Sequence, residues 1–146
     1  MDKINQKIEI MHEALKTLES GISLFKEFEI ICAKEPTEKN EQIYLSTRDS
    51  VIQRFEYCTD LFWKLLKIYL EVVEKVSLST VSPRGIIRET VKTKIITEAE
   101  GKLCIEMIES RNQTSHIYHV EIAESIAHKI PTFYLLMEKI SGDEKS

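Results

Sequence analysis

Residues 2–34 read DKINQKIEIMHEALKTLESGISLFKEFEIICAK, and the spacing of the apolar side chains within them decides the fold class. Ile4, Ile8, Met11, Leu15, Leu18, Ile22, Phe25, Phe28 and Cys32 recur at steps of three or four. A 3.6-residue period gathers all of them onto one stripe, so the stretch is an amphipathic helix whose stripe is core or partner surface. Pro36 ends it, because the residue before a proline is pushed out of the α region.

The rest of the chain repeats this theme. Residues 36–45 read as a polar connector, with Ile43, Tyr44 and Leu45 tucked against a bundle. Ser46-Thr47-Arg48-Asp49 then has the S/T-x-x-acid form that caps a helix start. Val51, Ile52, Phe55, Cys58, Phe62, Leu65, Leu66, Tyr69, Val72, Val73 and Val76 predict a second long helix to about residue 76, with Trp63 as its largest anchor. The β-branched and serine-rich run Val76 to Val81 breaks the pattern. Ser82-Pro83 supplies an N-cap and a proline at the first helical position, which predicts a short helix over 83–92. Thr97-Glu98-Ala99-Glu100 is a capping box, launching a helix through Leu103, Cys104, Met107 and Ile108 to Arg111. The last helix carries Ile122, Ile126, Ile130, Phe133, Met137 and Ile140, interrupted in its ladder by Pro131, and the tail 142–146 ends it at Gly142. The expectation is an all-α protein. Its architecture is an antiparallel up-and-down bundle of four main helices plus a short fifth, one domain over 1–146.

Composition agrees and narrows the function classes. A chain of 146 residues with 42% hydrophobic and 30% charged content, four Gly and three Pro has the balance of a single helical domain with a real core. Its net charge of -4 supplies no global positive field, so sequence-specific DNA binding is not expected and any nucleic acid must meet a local patch. One such patch is Arg84, Arg88, Lys92 and Lys94 against the single acid Glu89, with Lys64 and Lys67 as possible additions. It suits an RNA backbone, an acidic partner or plain solvent equally well. Cys32, Cys58 and Cys104 are odd in number and lack a CxxC pair, which argues against a disulfide framework and fits a reducing cytoplasm. No run approaches the roughly 18 apolar residues of a membrane span, and the charged opening has no leader-like apolar core. A cytoplasmic protein without membrane contact is the expectation.

One stretch departs from the alternation of apolar and charged residues. Arg111-Asn112-Gln113-Thr114-Ser115-His116-Ile117-Tyr118 packs a guanidinium, an imidazole, a phenol and four small polar groups into eight positions. On an unbroken helix, Arg111 and His116 would point roughly 140° apart at about 100° per residue. Asn, Thr and Ser side chains compete for backbone hydrogen bonds and favour helix ends. A helix therefore ends near Asn112, and the break brings both side chains onto one surface. Tyr118 fits equally a buried anchor with a satisfied hydroxyl and a target for modification. Arg48, Asp49 and Glu56 form a charge network, from which Asp49 or Glu56 is able to orient Arg111. His116 and His119, with Glu121 or His128 near, match no standard ligand spacing, so neither a metal nor another cofactor is expected.

These residues also carry a resemblance. Arg111-Asn112-x-x-x-His116-x-Tyr118 resembles the R-N-x-x-x-H-x-Y form of the HEPN motif. Arg48-Asp49, Phe55-Glu56, Leu61-x-Trp63-Lys64-x-Leu66-Lys67 and Ser82-Pro83-Arg84 look like the upstream signature of the nucleotidyltransferase substrate-binding proteins. The match runs from about residue 46 to 130. It departs from the pattern at Cys104, where an aromatic usually precedes the motif, and at His119, where an acid or amide usually follows the tyrosine. The resemblance implies a homodimer joined near the paired motifs and a small nucleotidyltransferase partner, as in the HepT/MntA toxin–antitoxin type. It further implies a metal-independent ribonuclease with Arg111 and His116 as catalytic residues, supported by Asn112, Arg48, Asp49, Glu56 and Trp63. Nucleotidylation of Tyr118 by the partner is the implied silencing step. Other members of the family are non-catalytic substrate-binding subunits of a two-component nucleotidyltransferase. The motif suits the first chemistry: an imidazole titrates near neutrality and serves as base or acid, while a guanidinium stays charged and grips phosphate with two donors. Attached adenylate would place charge and bulk beside Arg111 and His116.

Overall fold

The structure is a computed structural model that describes residues 2–79 and 81–145. Five α-helices account for it: α1 (Asp2–Lys34), α2 (Glu38–Val72), α3 (Pro83–Lys92), α4 (Glu98–Gln113) and α5 (Val120–Lys145). A single 3-10 turn, Thr114–His116, joins the last two. There is no strand among the described residues, so the all-α architecture read from the stripes holds.

Side-chain contacts give the direction of each helix. Ala14 meets Cys58, Thr17 meets Arg54 and Gly21 meets Val51, so α1 and α2 run antiparallel. Phe55 stacks on Phe133 and Tyr44 bonds Glu124, which sets α5 parallel to α2. The pairs Glu100–Lys139 and Glu106–Lys129 turn α4 the opposite way, and Arg84–Glu109 with Val91–Gly101 lays α3 antiparallel along α4. The stripe of α1 is buried from Ile4 to Phe25, facing Phe55, Phe62 and Phe133 from α2 and α5 among the largest enclosed side chains. Cys58 and Cys104 sit within this core, where burial pushes both thiols up to about 12. They behave as small apolar groups rather than nucleophiles.

Four local expectations need correction. The second helix starts eight residues before Ser46, because Thr37 caps it by accepting a hydrogen bond from the Asn40 N–H at 3.1 Å. Ser46-Thr47-Arg48-Asp49 is thus helix interior: the Thr47 hydroxyl donates to the Tyr44 carbonyl and Arg48 turns inward. The helix then stops at Val72 rather than near 76, since Lys75 takes φ 54° and the Val76 N–H closes back on the Leu70 carbonyl. Finally, α5 continues past Gly142 through Lys145, so that glycine does not end it. Trp63 is half-buried, and Phe55 and Phe62 are the true anchors of α2. The Ser82 cap, the short helix over 83–92 and the Thr97 capping box all stand as read.

Candidate functional site

The polar stretch after α4 is shaped by one threonine. The Thr114 hydroxyl donates to the Arg111 carbonyl at 2.7 Å and accepts from Arg111 Nη1 at 3.1 Å. The Thr114 hydroxyl and backbone N–H both take the Arg111 carbonyl that a continuing helix would have used, and the chain tightens into a 3-10 turn ending at His116. The backbone N–H of His119 then returns to the His116 carbonyl at 3.0 Å. Val120 opens α5 immediately afterwards.

Arg111 is held from the other side by α2. Its Nε and Nη2 donate to the two carboxylate oxygens of Asp60, each at 3.0 Å, and Nη1 lies 3.1 Å from Glu56 Oε2. Glu56 and Asp60 are one turn apart on α2, so a single helix face supplies both acids. The hydrogen bond to Asp60 is the main cause that raises the Arg111 pKa above its ordinary value, so the guanidinium is a fixed charge. The sequence left Asp49 or Glu56 open as the acid beside Arg111; Glu56 is the one that lies there, and Asp60 was not anticipated. Its signal was the i, i+4 spacing of the two acids, visible but unclaimed by any motif.

His116, Tyr118 and His119 crown the turn. Tyr118 is 73% exposed, so within the chain it is not a buried anchor. Its ring centroid stands 4.3 Å from that of His119 and 6.2 Å from that of His116. His116 is exposed, and among the described residues its ring has no hydrogen-bonding or ion-paired partner. Asn112 is also exposed, and its carbonyl accepts from the Ser115 hydroxyl at 3.4 Å.

The other supporting residues do not join this cluster. Arg48 donates to Asp49 at 3.1 Å and to Glu124 at 3.2 Å, so Asp49 serves Arg48 and not Arg111. The half-buried ring of Trp63 packs at the core's edge with Lys64 Nζ 5.8 Å from its centre. On the basic strip, Arg84 pairs with Glu109 at 3.2 Å. No group of three His, Cys, Asp or Glu side chains among the described residues is placed to hold a metal ion. Nor is any described helix long and apolar enough to cross a membrane.

A helical bundle in which an acid-held arginine bonds the first residue of a turn with an exposed His-x-Tyr-His run is the setting for the comparison with known proteins. The family model described as nucleotidyltransferase substrate binding protein like matches residues 6–144, and the chain belongs to that family. A crystal structure of a protein from Thermus thermophilus superposes with a TM-score of 0.72 at 31% identity, covering 91% of this chain and 97% of that one. No curated protein matches the sequence.

Proposed function

We propose that the chain is a HEPN-type homodimer that works with a small nucleotidyltransferase, cleaves RNA without a metal, and is silenced by nucleotidylation of Tyr118. The observation that carries this reading is the exposed turn itself: an unpaired imidazole at His116 and an open phenol at Tyr118, on a turn whose first residue, Thr114, bonds a guanidinium fixed by Asp60 and Glu56. The family description supports the partner, since it names a nucleotidyltransferase.

In the cleavage step, one His116 takes the proton from a ribose 2′-hydroxyl, and the freed oxygen attacks the adjacent phosphorus. The 5′-oxygen leaves with a proton supplied by the second copy's imidazole, giving a 2′,3′-cyclic phosphate and a 5′-hydroxyl. Two copies are needed because each chain offers only one free imidazole in this motif. Arg111 lies beside the turn as a charge for the pentacovalent phosphorane, held in advance of the reaction. DNA lacks the attacking hydroxyl and remains intact.

In the silencing step, the Tyr118 oxygen attacks the α-phosphorus of ATP on the partner, pyrophosphate leaves, and the phenolic proton is released. The adenylate then adds negative charge and bulk to the same turn. Incubation with the partner and ATP should add adenylate mass to the wild-type chain and none to Tyr118→Phe. Equal labelling of both proteins would end the proposal for Tyr118.

A second reading has its own observation. Every nitrogen of the Arg111 guanidinium already meets Asp60, Glu56 or Thr114, which is what a structural arginine in a non-catalytic substrate-binding subunit requires. That reading expects no toxicity when the chain is expressed alone, together with partner activity that depends on its presence. The ribonuclease reading expects growth arrest, relieved by His116→Ala.

A further inference from the structure

α5 begins two residues beyond Tyr118, and its first turns are tied down by a second polar cluster. Glu124 accepts hydrogen bonds from the Tyr44 hydroxyl at 2.6 Å and from Arg48 Nη1 at 3.2 Å. Arg48 is the one buried arginine among the described residues, with its side chain 7% exposed, and a buried charge of this kind requires matched acceptors. Glu124 and Asp49 supply them.

One turn further on, His128 faces an acceptor at each ring nitrogen. Nδ1 stands 2.7 Å from the Glu124 carbonyl oxygen, and Nε2 stands 2.5 Å from the Glu29 carboxylate on α1. A neutral imidazole has one N–H and satisfies one acceptor; a carbonyl and a carboxylate together take both ring protons. We infer that His128 is a charged imidazolium clamp between α1 and the first turns of α5, and that its protonation sets how firmly the 114–119 junction is anchored. The clamp stands on its own geometry, whereas its meaning for regulation rests on the reading of that junction as the functional centre.

The surroundings favour the charged form. Glu29 and the Phe25 ring, 5.5 Å away edge-on, face His128 from α1, Glu124 lies on α5 itself, and from α2 Tyr44 and Arg48 reach that Glu124. Arg48 is committed to Glu124 and Asp49, which leaves the Glu29 charge for the imidazolium. The hydrogen bond with Glu29, followed by that with the Glu124 carbonyl, raises the His128 pKa above 6.5. Burial and Glu124 also push the Tyr44 phenol up, which keeps it a donor. Because the folded value is raised, the clamp is fully present below the unfolded value of 6.5 and is lost as pH rises through the folded one. Mild acid tightens the junction and alkali loosens it.

The test uses the full chain and needs neither RNA nor ATP, so its failure is separate from failure of the proposed activity. Nitrogen-15 NMR of the His128 ring at pH 6 should show both nitrogens protonated, with a midpoint above the ordinary histidine value. At that pH, His128→Gln should speed amide hydrogen exchange over residues 119–126 by about tenfold while α3 and α4 keep wild-type rates. At pH 9 wild type and variant should match. Glu29→Gln, which keeps a hydrogen-bonding group and removes the counter-charge, should reproduce the loss at pH 6. A single ring proton at pH 6, an exchange increase spread evenly over all helices, or no increase at either variant would overturn the clamp.

Discussion

Removing Asp60 or Arg111 tests the account of the site at the level of free energy. Asp60 receives two hydrogen bonds from the Arg111 guanidinium at 3.0 Å each, and Glu56 adds a contact at 3.1 Å. Charge-assisted bidentate pairs are the strong ones, but these side chains are 30% and 39% exposed, so solvent screening lowers the coupling to about 1–2 kcal/mol. Asp60→Ala should therefore cost about 1–2 kcal/mol, read as a melting temperature lower by roughly 3–6 °C in a chain of this size. Arg111→Ala should cost more, about 2–3 kcal/mol, because it leaves two carboxylates one turn apart on α2 with their repulsion uncancelled. The double variant should be no worse than Arg111→Ala alone, since the acid that Arg111 neutralised has gone too. Urea melts of the four proteins, followed by circular dichroism, give the coupling directly. Additivity within about 0.3 kcal/mol would show that the pair does not act as a unit, and the fixed-guanidinium argument would fail with it.

Other outcomes follow from packing and titration. A Cβ on Gly101 would meet Val91 Cγ2 at 2.4 Å, so Gly101→Ala should cost about 1–3 kcal/mol in urea melts, part of it recovered when Val91→Ala is added. Lys94, two residues beyond the end of α3, takes φ 64°, where the left-handed region penalises a side chain; Lys94→Gly should raise stability by about 0.5–1 kcal/mol after the glycine's extra unfolded freedom is counted. The Glu100 carboxyl is held below its ordinary 4.5, first by the hydrogen bond from Lys139 and then by the Thr97 N–H. A lowered folded value means stability that is present above 4.5 and lost as pH falls through the folded value. Glu100→Gln should accordingly flatten the acid limb of a thermal-melt series between about pH 5 and pH 3, and an unchanged limb would contradict the assignment.

Much of this fold was legible because helices announce themselves through period and caps. The α1 stripe, the Ser82-Pro83 start and the Thr97–Glu100 box each rest on interactions within a few residues, and each sits where the sequence puts it. Ser46-Thr47-Arg48-Asp49 misled for a related reason. The same four residue types cap a helix or ride inside one, and the choice was made nine residues earlier by Thr37 and by the pull of the core on Arg48. The candidate site divides the same way. Arg111, His116 and Tyr118 were visible as a dense polar run, whereas Asp60 and Glu124 act across the bundle, 51 and 76 residues in sequence from the arginines they hold. Pairing between helices depends on how their faces turn, which a lone periodic pattern leaves open.

Treating a short single-stranded RNA with the purified chain in EDTA, beside His116→Ala, puts the central claim to its most direct test. The account predicts fragments ending in 2′,3′-cyclic phosphate from the wild type and intact RNA from a variant that melts at the wild-type temperature. Intact RNA from both proteins, or equal cleavage by both, would contradict it.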